Sequence, residues 1–237
     1  MSIRKFVNLA GQYIVPFKNP RVVCPPGPVP RCEGKTIIIA SMMRSGTHLA
    51  IDMLLNNFPA LVSKPLYLDA DQYFRGEENR IKYMNDEITI GQCIVKTHYP
   101  QSIPDNKLEV IKKLAVDSHV ILLHRPAKET FKSLNAWGMA EDFVEYQSEV
   151  KKFYEFWNVV APDSLSVQFD ELVDEESFRN LIARVESKIG VSPKEKISLP
   201  VNPKKVWIMA ASKLATRLMG QYSPVINTGI RSGMTGT

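Results

Sequence analysis

The sequence predicts an α/β domain, and three strand-like runs alternating with helical patterns carry that reading. Thr36-Ile37-Ile38-Ile39-Ala40 is a β-branched apolar run, followed by Leu49, Ile51, Met53, Leu54 and Leu55 as an apolar helix. His119-Val120-Ile121-Leu122-Leu123 repeats the pattern and leads into a helix from Ala127 to Trp137. Between them, Cys93-Ile94-Val95 reads as a further strand. Such runs belong to strands buried on both faces, the situation of a sheet covered by helices. With 237 residues, 44% of them apolar, the chain can fill one core, and no second globular domain is required.

Residues 1–35 stand apart from this pattern. Ile3, Phe6, Val7, Ala10 and Ile14 recur at helical spacing within Met1 to Val15, an amphipathic helix that either docks on the domain or touches a membrane surface. The segment has no long apolar signal core. Pro16 to Pro30 is too rich in proline for helix or central strand, so it reads as an extended connector into the domain at 36–237. Cys24 and Cys32 flank part of it and would close a small loop if oxidised; three cysteines in all fit a reducing, cytoplasmic compartment better than a disulfide framework. No run of about 18 apolar residues occurs, so no membrane span is expected. The net charge of +5 is small and dispersed, which gives no reason to expect nucleic acid and accords with an anionic ligand.

The segment between the first strand and its helix, Ser41-Met42-Met43-Arg44-Ser45-Gly46-Thr47, has the size of a phosphate-binding loop. Gly46 lets the backbone approach a ligand closely, and the helix-start amides join the cation Arg44 in presenting positive charge. It is not the ATP/GTP type, which needs an earlier glycine and a lysine after the second one.

Phe58 to Gly91 follows as a polar excursion containing Tyr67, Tyr73 and Phe74, either a pocket or lid segment or an ordinary surface insertion. In Ile94-Val95-Lys96-Thr97-His98-Tyr99-Pro100 the two-residue period puts Lys96 and His98 on one side at the strand end. A cation and an imidazole there suit proton removal beside a leaving anion. Leu108, Ile111, Leu114 and Ala115 mark a short amphipathic helix. After the next strand, Arg125 sits at a strand-to-helix junction with Ser133 eight residues on, both within reach of one anion. Glu141 to Val160 is a helix with an aromatic stripe, Leu165 to Phe169 a short strand, and Ser177 to Ile189 a helix capped by Gly190. Trp207 to Leu218 reads as a basic helix before a glycine-rich tail.

Four of these pieces, in this order, resemble the motifs of sulfotransferases that use 3′-phosphoadenosine 5′-phosphosulfate (PAPS). Met43-Arg44-Ser45-Gly46-Thr47 resembles the 5′-phosphosulfate loop, and Lys96-Thr97-His98-Tyr99-Pro100 the segment bearing the catalytic base. Arg125, Lys128-Glu129 and Ser133 resemble the 3′-phosphate motif, and Arg231-Ser232-Gly233 through Gly236 the glycine-rich segment that completes it. Phe169-Asp170-Glu171-Leu172 is similar to a segment whose aromatic lies near the adenine. The resemblance implies a three-layer αβα sandwich around a central parallel sheet of about five strands, related to nucleotide kinases with their P-loop.

It further implies metal-free transfer of a sulfuryl group from PAPS to a hydroxyl or amine of a small molecule or glycan, leaving adenosine 3′,5′-bisphosphate (PAP). His98 would be the base, with Lys96 and Arg44 as catalytic cations. Arg44, Ser45, Gly46, Thr47, His48 and Leu49 would line the 5′-phosphate and adenosine. Arg125, Ser133, Arg231, Ser232 and Gly233 would hold the 3′-phosphate, and Phe169 the adenine. The chain departs from the family at Arg44 and Ser232, where lysine is usual, and at Leu49, where an aromatic is. No dimer motif is evident, and the oligomeric state stays open. A small-molecule kinase and a non-catalytic nucleotide-binding module are the alternatives.

Overall fold

The computed structural model describes residues 35–61, 67–71, 94–101, 108–136, 138–197 and 199–200. Five strands form one sheet: β1 (Thr36–Ser41), β2 (Leu68–Asp69), β3 (Ile94–Thr97), β4 (Ser118–His124) and β5 (Leu165–Gln168). Their spatial order is β2-β3-β1-β4-β5 and every pairing is parallel. Register places Ala40 opposite Thr97 and Ser41 opposite Leu123, so β1, β3 and β4 end side by side. All six residues of β1 are buried. Alternate side chains point to opposite faces, so a strand buried throughout is covered on both.

The described helices are α1 (Thr47–Asn57), α2 (Leu108–Val116), α3 (Ala127–Asn135), α4 (Phe143–Val160) and α5 (Glu175–Ile189), with 3-10 turns at Pro59–Leu61 and Phe169–Leu172. α1 is buried almost all round, as expected of a helix in the middle of a domain. α4 buries Tyr146, Phe153 and Trp157 along one stripe, and the Trp157 indole N–H donates to the Tyr99 carbonyl at 2.9 Å. That bond ties α4 to the turn after β3. α5 buries Phe178, Leu181, Ile182, Val185 and Ile189. Its ends are set locally: Asp174 accepts from the Ser177 amide, and Gly190 takes φ 68° beyond the last turn. Asp142 caps α4 in the same way, accepting from the amides of Val144 and Glu145.

This topology sets apart one end of the sheet. The connection leaving β1 runs toward β2 and the one leaving β4 runs toward β5, in opposite directions from adjacent strands. In open α/β sheets such a divergence leaves a crevice at the carboxyl ends of the strands. The residues following β1, β3 and β4 all lie there.

The α/β expectation is met, and most elements lie within two residues of where the periodicity put them. The exception is β2, which falls inside the stretch from Phe58 to Gly91 that reads as an excursion without periodic signal. A strand of two residues has no period to display. The helix expected over Met1 to Val15, the proline-rich connector, Cys24, Cys32, the helix expected over Trp207 to Leu218, and Arg231, Ser232 and Gly233 lie outside the described residues. No described helix is long and apolar enough to cross a membrane.

Packing on α5 makes a direct test of this core. Phe178 is fully buried, whereas Val159 on α4 is 81% exposed. Phe178→Ala is expected to lower the unfolding free energy by about 3–5 kcal/mol. Val159→Ala is expected to change it by less than about 0.5 kcal/mol. Urea denaturation followed by circular dichroism measures both.

Candidate functional site

The loop after β1 is shaped by two left-handed residues, Arg44 at φ 70° and Gly46 at φ 97°. The Ser45 amide donates to the Met42 carbonyl at 3.2 Å, closing a turn, and the Ala50 amide donates to the Gly46 carbonyl at 3.0 Å, opening α1. Glycine is required at 46 twice over. A side chain would be strained at that φ, and a Cβ would stand 2.8 Å from Cδ2 of Phe169. Among the described residues no side chain caps the α1 N-terminus, and its first turn holds no acidic residue, so its amides keep their positive end for a ligand. The buried Ser45 hydroxyl has no hydrogen-bond partner among the described residues. Such an orphaned polar atom fits a loop built to take an acceptor.

Two arginines converge on this loop. Arg44 Nε–H donates to Ser133 Oγ of α3 at 2.9 Å. Arg125, directly after β4, donates from a terminal nitrogen to the Arg44 carbonyl at 2.9 Å and from Nε to Glu129 at 3.1 Å. Its guanidinium also lies over the Phe169 ring, 4.0 Å from the centroid. Burial, with the nearby positive charge of Arg125, holds the Arg44 guanidinium below its ordinary value. Two like charges brought this close favour an anion between them.

A buried polar cluster adjoins the loop on the β3 side. Thr47 Oγ1 and Ser41 Oγ share a hydrogen bond of 2.6 Å, and Ser41 Oγ lies 3.3 Å from His98 Nδ1. The same Nδ1 is 2.7 Å from the Ser41 carbonyl oxygen. A carbonyl can only accept, so Nδ1 carries the proton, and in the neutral ring the lone pair is on Nε2. His98 is 9% exposed. Burial lowers its pKa, opposed by the Asp71 charge and assisted by Lys96. The imidazole is therefore neutral near pH 7, the form a base requires.

Lys96 is differently placed from the sequence expectation of a cation offered to a phosphate. Its ammonium is 3.1 Å from Asp69 and 3.3 Å from Asp71, and the residue is 7% exposed. Asp71 also accepts from Thr97 Oγ1 at 3.0 Å and from the His98 amide at 2.9 Å, and its other oxygen is 3.9 Å from His98 Nε2. Burial pushes the Asp71 carboxyl up, but the His98 and Lys96 charges and these hydrogen bonds outweigh it and hold Asp71 below its ordinary value. Asp69 goes the other way, raised by burial despite Lys96, with the Asp71 charge adding to the rise.

Arg44, Ser45, Gly46, Thr47, Arg125, Ser133 and Phe169 thus meet at one end of the sheet, with Lys96 and His98 alongside. Two expected nucleotide contacts lie differently: Leu49 packs in the core at 4% exposure, and His48 is half-buried, edge-on to Tyr67 with 6.3 Å between centroids. Sequence reading missed Ser41, Asp69, Asp71 and Gln101, whose Oε1 accepts from the Met43 amide at 3.1 Å. The one available signal was Ser41, a polar residue ending an otherwise apolar run.

Acid sensitivity should follow from these shifts. His98 has a lowered folded-state pKa, as do His119 and His124, mainly through burial. The unfolded chain binds their protons more readily, so stability is full above about pH 6.5 and declines as pH falls below it. The Asp71 contribution, with a depressed pKa, is lost only at more acid pH, below about 3.9. His98→Gln is therefore expected to show a smaller loss of urea midpoint between pH 7 and pH 5 than the parent protein.

The chain matches no family model, no curated protein and no solved structure, so its own side chains carry the functional reading.

Proposed function

We propose that this protein is a PAPS-dependent sulfotransferase with a P-loop-like three-layer αβα fold and His98 as its general base. The observation that carries the proposal is the line from Thr47 through Ser41 to His98, which sets a neutral imidazole next to an anion-binding loop. A loop alone would serve binding. An adjacent base with its tautomer fixed serves transfer. The motif resemblance supports the same reading.

The nucleotide supplies an activated sulfuryl group, and the residues divide the remaining work. His98 Nε2 takes the proton of the acceptor hydroxyl as the new sulfur–oxygen bond forms. Arg44, the Ser45 hydroxyl and the α1 amides bind the 5′-phosphate and stabilise the charge that develops there as the bond to sulfur breaks. Arg125 and Ser133 hold the 3′-phosphate, with Arg231, Ser232 and Gly233 assigned to it from sequence. Phe169 offers an aromatic wall beside Gly46, one face of which Arg125 already covers. The acceptor is a small molecule or glycan, and the proposed setting is the cytoplasm.

One observation favours the kinase alternative. Asp69, the last residue of β2, and Asp71, two residues on, stand together at a strand end, where a metal-dependent phosphoryl transferase keeps carboxylates. Lys96 spans the two and occupies the cation's place between them.

Nucleotide selectivity separates the readings. PAP is expected to bind at least tenfold more tightly than AMP or ATP, because only PAP offers a 3′-phosphate to Arg125 and Ser133. Isothermal calorimetry with the three nucleotides measures this. Equal affinities would refute the 3′ site, and a magnesium-dependent preference for ATP would establish the kinase reading. Turnover gives the complementary test. His98→Ala is expected to lower sulfuryl transfer from labelled PAPS by roughly a hundredfold or more, with PAP affinity unchanged. Undiminished transfer would remove His98 from the mechanism, and sustained PAP binding with no acceptor ever sulfated would favour a binding module.

A further inference from the structure

We propose that Asp71 is the positioning residue for the His98 base, and that Lys96 serves as its buried counter-ion rather than as a cation for the nucleotide. The inference rests on the reading of His98 as a base, and concerns a residue that the sequence motifs do not include.

Geometry supports each half. Asp71 Oδ1 accepts from both Thr97 Oγ1 and the His98 amide, so one carboxylate oxygen fixes the backbone where β3 ends. Oδ2 accepts from Lys96 and faces His98 Nε2 at 3.9 Å. That separation is too long for a hydrogen bond. It leaves Nε2 available to a proton arriving from an acceptor, while the carboxylate charge remains close enough to act on the ring. The Ser41 carbonyl holds the opposite ring nitrogen at 2.7 Å. His98 is thereby gripped at its amide and Nδ1, and only Nε2 is left for chemistry.

Proton balance assigns the charges. A proton leaving the acceptor bonds to Nε2, and the ring becomes an imidazolium with N–H at both nitrogens. No proton passes to Asp71, which stays ionised and stabilises that cation. Among the described residues, the charged groups facing the ring are Asp71, Lys96 and Asp69, the first and last favouring the imidazolium and Lys96 opposing it. An ionised Asp71 without Lys96 would over-stabilise the cation and leave two carboxylates confronting each other. With Lys96 between them, His98 stays neutral until it is used.

Nuclear magnetic resonance of the ring protons tests this without any substrate. The His98 signal among the four histidines is identified by its loss in His98→Gln. Asp71→Asn is expected to move the His98 midpoint down by about one pH unit or more, and Lys96→Met to move it up. Asp71→Glu, which restores the charge, is expected to recover most of the parent midpoint. A folded Asp71→Asn protein with an unchanged midpoint would overturn the proposal. If that variant does not fold, Lys96→Met decides alone, since an unmoved or lowered midpoint there is equally fatal. Where sulfuryl transfer is measurable, Asp71→Asn should reduce kcat and shift its acid limb with the resonance midpoint, leaving KM for PAPS near the parent value. A coupled shift of the resonances without any transfer would retain the charge relationship and reject the sulfotransferase reading, so the two failures are distinct.

Discussion

The contact between the Ser41 carbonyl and His98 Nδ1 is where the fold and the site depend on each other. Ser41 is the last residue of β1, the strand buried along its whole length at the centre of the sheet. It pairs with Leu123 of β4, and the preceding Ala40 is held on both sides, by Thr97 of β3 and Leu122 of β4. A hydrogen bond to that carbonyl therefore transfers the rigidity of the sheet centre to an imidazole on the neighbouring strand end. The side chain of the same residue reaches Thr47, the first residue of α1. Placement on rigid elements with supporting hydrogen bonds is what keeps a reactive group in one orientation.

Charge is segregated across this edge of the sheet. On the β4 side Arg44 and Arg125 crowd together, with Glu129 as a partner of Arg125. On the β2 side two carboxylates share one lysine. The neutral His98 ring belongs to the second group, and the hydroxyls of Ser41 and Thr47 link it to the start of α1. Burial gives the β2-side arrangement its weight, because charges are poorly screened where water is excluded, whereas Arg44 and Glu129 on the β4 side are exposed.

The sequence made the scaffold and the turn of the loop after β1 readable for a physical reason: both depend on residues near one another in the chain. Apolar runs reveal strands, periodic leucines reveal helices, and Arg-Ser-Gly-Thr is a contiguous loop. The two-residue period of β3 correctly put Lys96 and His98 on one side, and both approach the same oxygen of Asp71. What could not be read was their partner. Asp71 is separated from His98 by residues 72–97, and nothing local marks Asp69-Ala70-Asp71 as more than another polar turn. Lys96 looked like an available cation for the same reason, since its neutralisation is a tertiary event. Leu49 followed the loop in sequence and still turned inward, because a helix advances about 100° per residue and neighbours face different surroundings.

The contact between Gly46 and Phe169 joins segments that follow the central and the edge strands of the sheet, and it constrains how this chain can diverge. A smaller residue at 169 would open the space that an added methyl group at 46 needs, yet the backbone there would remain left-handed. Drift at 169 alone therefore cannot release position 46. Drift at 46 meets both obstacles in a single step. In descendants of this chain the aromatic can be replaced while the glycine persists, and the reverse order of change is closed.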